Sequence, residues 1–178
     1  MENSAFYKKL LLLLPFILLI GNLLSPGPVS VAQAVSASGE SAAEDYMNKG
    51  LSAFRKGAFE QAVLDWREAV RLYEKGRKAN KQVEALTLLA QAYQYIGQYN
   101  EALKRLKSAL VLAEKSKDRA LIASVLSSLG NLHITLGPSD KAYQYLNQSL
   151  GIAKELKNFV LMATVLNNLG NFFITQKK

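Results

Sequence analysis

The stretch LTLLAQAY at residues 86–93, followed by Gly97, decides the fold because its pattern recurs along the chain. Within it, apolar or small residues are spaced three or four positions apart, as on one face of an α-helix. Gly97 then predicts the end of that helix, since glycine readily adopts the left-handed conformation of a helix stop. A second amphipathic helix is predicted from Tyr99 onward.

Residues of the same character return every 40 positions. Five series show this period: Gly50, Ala90, Gly130 and Gly170; Gly57, Gly97 and Gly137; Ala62, Ala102 and Ala142; Ala69, Ala109 and Ser149; Trp66, Leu106 and Leu146. Glycine inside a helix costs about 1 kcal/mol relative to alanine. Its return within predicted helices at positions 50, 130 and 170 therefore predicts that a partner helix crosses closely there.

Helix start signals support the same division. Ser41 to Glu44 form a capping box that predicts the start of the first helix. Asp118 and Asn158 are predicted to cap later first helices, and Ser139 a second helix, because their side chains can accept backbone N–H bonds.

The repeats resemble the tetratricopeptide repeat (TPR) family, whose pattern is W-x2-L-G-x2-Y, then A-x3-F, then A and P. The second unit matches best, at Leu86, Leu89, Ala90, Tyr93, Ala102, Leu106 and Ala109. The 40-residue unit without a closing proline is similar to the long-unit subtype of kinesin light chains and many bacterial proteins.

The resemblance implies an all-α, right-handed α-solenoid of antiparallel helix pairs over residues 41–178. We expect about 3.5 units, at residues 43–82, 83–122, 123–162 and a partial unit at 163–178. Because the fourth unit reaches Lys178 without a second helix, we expect self-association through the fourth helix or a natural chain that continues beyond Lys178.

The N-terminal segment has the layout of a secretory signal peptide: Lys8 and Lys9, an apolar run at residues 10–20, and the small-x-small site Ala32-Gln33-Ala34. A membrane anchor is the alternative, but this run of 11 residues is short of the roughly 20 that span a bilayer. We expect residues 1–34 to be removed, residues 35–40 to form a flexible junction, and no stable membrane anchor to remain. The mature protein would then be periplasmic or extracellular.

The composition offers little for catalysis. With no cysteine and one histidine, cysteine and paired-histidine metal sites are excluded, and we expect no cofactor, no metal and no catalytic residue. His133 aligns with Tyr93 and Phe173, which predicts a packing role over a catalytic one. The net charge of +8 allows loose contact with anionic lipid or polysaccharide, but helix-end electrostatics and solubility are the favoured interpretation, and no nucleic-acid binding is expected.

In TPR arrays, first-helix residues line a concave peptide-binding groove. The resemblance places Thr87, Gln91, Gln94, Ser127, Asn131, Asn167, Asn168 and Asn171 there. Asn and Gln each offer a donor and an acceptor, which suits recognition of a peptide backbone, although these residues are equally consistent with ordinary solvent-exposed polar positions. The Lys, Arg and Asn clamp of co-chaperone TPRs is not matched, so binding of a chaperone C-terminal tail is not expected.

Two functions follow. The first is an exported scaffold that binds a protein or peptide partner in the groove and is not an enzyme. The alternative is that the chain is the N-terminal TPR portion of a larger exported enzyme, such as a caspase-like peptidase, which sequence downstream of Lys178 would reveal.

Export with cleavage after Ala34 predicts that N-terminal sequencing of protein recovered outside the cytoplasm begins at Val35. Recovery of the full-length chain in the inner membrane would contradict it and favour the anchor.

Overall fold

The computed structural model describes residues 31–137 and 139–176, with side chains from residue 39 onward. Within these ranges the chain forms seven α-helices and no β-strand. The helices are α1 (Val31–Arg55), α2 (Phe59–Lys75), α3 (Ala79–Tyr95), α4 (Tyr99–Ser116), α5 (Arg119–Leu136), α6 (Asp140–Glu155) and α7 (Phe159–Gln176).

Consecutive helices from α2 to α7 pack against one another, and along the array α3 also contacts α5 and α5 contacts α7. The helices α3, α5 and α7 begin at Ala79, Arg119 and Phe159, at intervals of 40 residues. These contacts confirm the predicted all-α solenoid of helix pairs. The pairs begin at residues 79 and 119, slightly before the predicted unit boundaries at 83 and 123.

A small residue on the first helix of a pair lies against a bulky side chain on the second. A Cβ added to Gly50 would lie 2.6 Å from Cδ1 of Trp66, and one added to Gly130 would lie 2.6 Å from Cγ of Leu146. The indole N–H of Trp66 also donates to the carbonyl of Met47 at 3.2 Å, which ties α2 to α1. The close crossings predicted at residues 50 and 130 are therefore present.

Gly170 does not follow this pattern. No atom lies within 4 Å of a Cβ built at this position, and the residue is exposed. The close crossing expected there is absent because, among the described residues, no helix follows α7.

Two of the four helix N-caps predicted from the sequence form their side-chain hydrogen bonds in the structure. The Asp118 carboxylate accepts from the backbone N–H groups of Ala120 and Leu121 at 3.0 and 3.1 Å. Asn158 accepts from the N–H of Leu161 at 3.0 Å. Ser139 occupies the N-cap position of α6, but its hydroxyl makes no capping bond.

The start of α1 differs from the expectation. The predicted capping box at residues 41–44 lies inside α1, and residues 35–40, expected to form a flexible junction, are helical. The reason is that Val31–Arg55 contains no proline, so nothing removes a backbone donor from its interior. Residues 1–30 of the predicted signal peptide lie outside the described residues. Among the described helices, none is long and apolar enough to cross a membrane.

Gly130 lies at a close helix crossing and Gly151 does not. Replacing each of them by alanine should therefore have opposite effects on the stability of the array. Gly130→Ala should destabilise the array by about 1–3 kcal/mol, because the added methyl group displaces Leu146. Gly151→Ala is the matched control: its Cβ meets nothing within 4 Å, so it should stabilise α6 by about 0.5–1 kcal/mol. Denaturant unfolding of both variants measures the difference, and a stabilising Gly130→Ala would contradict the packing.

Candidate functional site

The first helices α3, α5 and α7 border a cleft of about 320 Å³. No lining residue carries a charge, and most bear an amide or a hydroxyl group. The lining consists of Thr87, Gln91, Gln94, Tyr95, Ser124, Ser127, Ser128, Asn131, Leu161, Thr164 and Asn168.

The structure brings together six of the eight residues that the sequence assigns to the groove: Thr87, Gln91, Gln94, Ser127, Asn131 and Asn168. The other two, Asn167 and Asn171, do not line the cleft and are exposed. They occupy on α7 the positions that Ser127 and Asn131 hold on α5, on the side that faces the next first helix. Since no described helix follows α7, these two amides face no neighbour there.

A short polar network joins α5 to α7 in the cleft. The amide of Asn168 donates to Oγ of Ser127 at 3.1 Å, and the amide of Asn131 reaches Oδ1 of Asn168 at 3.5 Å. Ser127 is buried, with 3 % of its surface exposed. This network satisfies polar groups at the base of the cleft and fixes their orientation.

Other polar groups of the lining are open to a ligand. Within the described residues, the side-chain amides of Gln91 and Gln94 make no hydrogen bond to protein. The hydroxyls of Thr87, Ser128 and Thr164 each donate to a carbonyl four residues earlier in their own helix, at 2.9, 3.1 and 3.0 Å. Their oxygen lone pairs remain available to accept. The cleft therefore offers both donors and acceptors without a formal charge.

Tyr95 forms an aromatic wall of the cleft. Its ring stacks on Phe59 at a centroid distance of 4.6 Å and meets the edge of Phe54 at 5.0 Å. Tyr95 is nevertheless 58 % exposed, so part of its surface remains open. The contacts with α1 and α2 hold this ring at the cleft without burying it.

A second, largely apolar cavity of about 300 Å³ adjoins the cleft, and the two share Thr87 and Ser124 in their linings. It is lined mainly by aliphatic side chains from α1, α3 and α5: Met47, Val83, Leu88, Leu121 and Val125, with Glu84 among the remaining lining residues. Sequence reasoning missed this cavity as a binding feature. The available signal was the change from Leu88 to Ser128 at equivalent positions, which makes one part of the groove apolar and the next polar.

Several basic residues outside the cleft contact neighbouring side chains. The Arg67 guanidinium donates to the Tyr93 hydroxyl at 2.9 Å, Nε of Arg71 donates to Glu68 at 2.9 Å, and Lys78 pairs with Glu40 at 2.6 Å. Exposed ion pairs of this kind contribute about 0–1 kcal/mol each. These contacts favour the interpretation that the basic residues serve solubility and local packing.

The described residues offer little for catalysis. They contain no group of three or more His, Asp or Glu side chains placed to hold a metal ion. His133 is partly buried, and its ring stacks on Tyr145 at 5.5 Å. Burial lowers the pKa of His133, and the charges of Lys141 and Lys107 lower it further. Its surroundings are those of a neutral packing residue.

Comparisons with known proteins agree with this architecture. Residues 82–155 match the family model described as tetratricopeptide repeat. No curated protein matches the sequence significantly. The fold is similar to the crystal structure of BtubC (BKLC) from P. vanneervenii, with a TM-score of 0.62 and 19 % sequence identity, over 83 % of this chain and 67 % of that one.

Helix pairs stacked at a constant interval, with a cleft between their first helices, define a helical-repeat protein. Residues 82–155 belong to the tetratricopeptide repeat family, and the chain has the fold of a helical-repeat protein. Repeats of this family generally mediate protein–protein interactions, and their fold is typically a non-catalytic scaffold.

The surroundings of His133 predict a pH dependence of stability. Its folded-state pKa lies below the unfolded value of about 6.5. As the pH falls, His133 therefore binds a proton at a higher pH in the unfolded chain than in the folded protein. The contribution of neutral His133 to the free energy of unfolding is fully present above about pH 6.5 and is lost as the pH falls below it. Thermal unfolding measured from about pH 7.5 to about pH 5.5 should show a falling midpoint in the wild type and a smaller fall in His133→Gln. Equal slopes in the two proteins would contradict this role.

Proposed function

We propose that this chain is an exported scaffold that binds an extended segment of a partner protein in the cleft between α3, α5 and α7. The observation that carries the proposal is the composition of the cleft: an uncharged lining in which the amides of Gln91 and Gln94 are open to a ligand. Export rests on the signal-peptide pattern of residues 1–34, and it would place the partner in the periplasm or outside the cell.

The chemistry of the cleft suits a polypeptide backbone. An extended backbone presents N–H donors and C=O acceptors along its length, and it carries no charge away from its ends. Glutamine amides can hydrogen-bond to both groups, since they can donate to C=O and accept from N–H. The hydroxyl oxygens of Thr87, Ser128 and Thr164 can accept from backbone N–H groups. Recognition by uncharged groups also suits an internal segment, since it needs no terminal carboxylate.

The adjoining apolar cavity supplies a place for one side chain of the same segment. Its volume of about 300 Å³ lies at the lower end of the range for ligand pockets, about 300–1,000 Å³. Because the cavity shares Thr87 and Ser124 with the cleft, a backbone bound to the polar lining can place an aliphatic or aromatic side chain against Met47 and Leu88. We therefore propose a ligand with one apolar anchor residue beside a polar, uncharged stretch.

The test uses peptides selected on the wild-type protein from a random display library. Gln91→Ala combined with Gln94→Ala should weaken their binding about tenfold or more, since two ligand hydrogen bonds of about 1 kcal/mol each are lost. The substitutions should leave the unfolding midpoint unchanged, because neither amide bonds to a described protein group. Isothermal titration or fluorescence anisotropy measures the affinity.

The matched control combines Asn167→Ala and Asn171→Ala, two exposed amides on the same set of helices that lie outside the cleft. It should leave binding intact. If Arg67→Glu with Arg71→Glu abolishes binding while the glutamine variant retains it, the basic surface is the binding site and the cleft proposal fails.

A further inference from the structure

The groove face of α3 carries apolar side chains where the next first helix carries hydroxyl groups. Tyr95 occupies the position that Thr135 holds on α5, and Leu88 occupies the position of Ser128. The pairing of a first helix with its second helix does not require these apolar groups, because α5 packs against α6 with hydroxyl groups at the same positions. Both apolar groups line openings on the concave side, Leu88 in the apolar cavity and Tyr95 in the cleft.

The ring of Tyr95 is held in place without being covered. Phe59 stacks on it with 27° between the ring planes, and Phe54 meets it edge-on at 87°. Because these contacts fix the ring beforehand, little side-chain freedom is lost when a ligand binds to it. With 58 % of its surface exposed at the cleft, Tyr95 can take one more ring onto the cluster.

The distance from the apolar cavity to Tyr95 matches a short run of extended chain. Thr87 lines both the cavity and the cleft, and it lies eight residues before Tyr95 on α3, a rise of about 12 Å. Four residues of an extended chain span about 13 Å, and side chains four residues apart point to the same face. Gln91 and Gln94 lie between the two ends. A segment that follows α3 can therefore reach the cavity, both amides and the Tyr95 ring at once.

We infer that the cleft selects segments with an aromatic residue four positions from the apolar anchor, and that Tyr95 binds this ring. Aromatic pairs gain from stacked or edge-to-face contact beyond the area they bury, so the cluster of Phe54, Phe59 and Tyr95 favours a ring over an aliphatic side chain. The inference rests on the proposed function and narrows its ligand to one motif. The positions equivalent to Tyr95 hold Arg55 on α1 and Thr135 on α5, so the aromatic residue also fixes the register of the segment on the array.

A double-mutant cycle tests the contact, with peptides selected on the full chain from a random display library. Replacing the aromatic residue of the peptide by alanine should weaken binding to the wild type about tenfold, since the ring loses its partner and its buried area. The same replacement should weaken binding to Tyr95→Ala by about twofold or less, because the partner is already absent. Tyr95→Phe keeps the ring and should bind like the wild type. Selected peptides that lack an aromatic residue at this spacing would overturn the inference.

Tyr143→Ala is the matched control for the protein. Tyr143 is 41 % exposed and its ring stacks on Phe172 at 5.7 Å, but it does not line the cleft. Its removal should leave the affinity unchanged. If Tyr95 only covers Phe54 and Phe59, Tyr95→Ala lowers the unfolding midpoint, but the alanine peptide loses the same factor in affinity for both proteins. That additive result overturns the inference.

The spacing between the two anchor residues supplies a second test. One serine inserted between them turns one anchor to the opposite face of an extended chain. Affinity for the wild type should fall about tenfold, as when the ring is removed, and affinity for Tyr95→Ala should barely change. Equal affinity of the parent and the inserted peptide for the wild type would contradict the spacing of four.

The glutamine variant separates this inference from the proposed function. If Gln91→Ala with Gln94→Ala weakens binding while the cycle at Tyr95 is additive, the segment lies in the cleft and only the aromatic motif is wrong. If the glutamine variant binds every selected peptide as tightly as the wild type does, the proposed function fails, and the motif that rests on it fails as well.

Discussion

The helix pairs depend on a close approach between a small residue on one helix and a bulky side chain on the next. Gly50 meets the ring of Trp66, and Gly130 meets Leu146, so that in each pair the two backbones come near enough for the turn between them to be short. Because interiors are densely packed, the distance between helices is set by these contacts. The register of each first helix, and hence the residues it presents to the cleft, follows from them.

Much of this arrangement could be predicted from the sequence, because the determinants are local and repeated. The period of 40 located the close crossing at Gly130, the turn at Gly97, which has φ +75°, and the cap at Asp118. Where only one copy of a signal exists, the prediction was weaker. The capping box at residues 41–44 lies inside α1, since a sequence compatible with a cap is also compatible with the interior of a longer helix.

The candidate site could be predicted only in part, because a cleft belongs to several helices at once. The resemblance to TPR arrays placed Gln91 and Asn131 in the groove, but it also placed Asn171 there, whose side of α7 has no described neighbour. It could not reveal that Asn168, one position from the repeat of Ser127, is the residue that bonds to Ser127. Which residues of two neighbouring helices meet depends on how each helix is rotated about its axis relative to the other. The sequence pattern of a single helix does not determine this rotation.

The lack of charge in the cleft lining also has kinetic consequences. Charged binding surfaces accelerate encounter with their partners and lose that advantage as salt screens the field. A segment captured by the amides of Gln91 and Gln94 receives no such steering from the groups that hold it, and encounter is expected at about 10⁵–10⁶ M⁻¹ s⁻¹. Its lifetime on the protein is then governed by the rate at which it leaves. The lifetime of such a complex would then depend only weakly on ionic strength, because no ion pair holds the segment in the cleft.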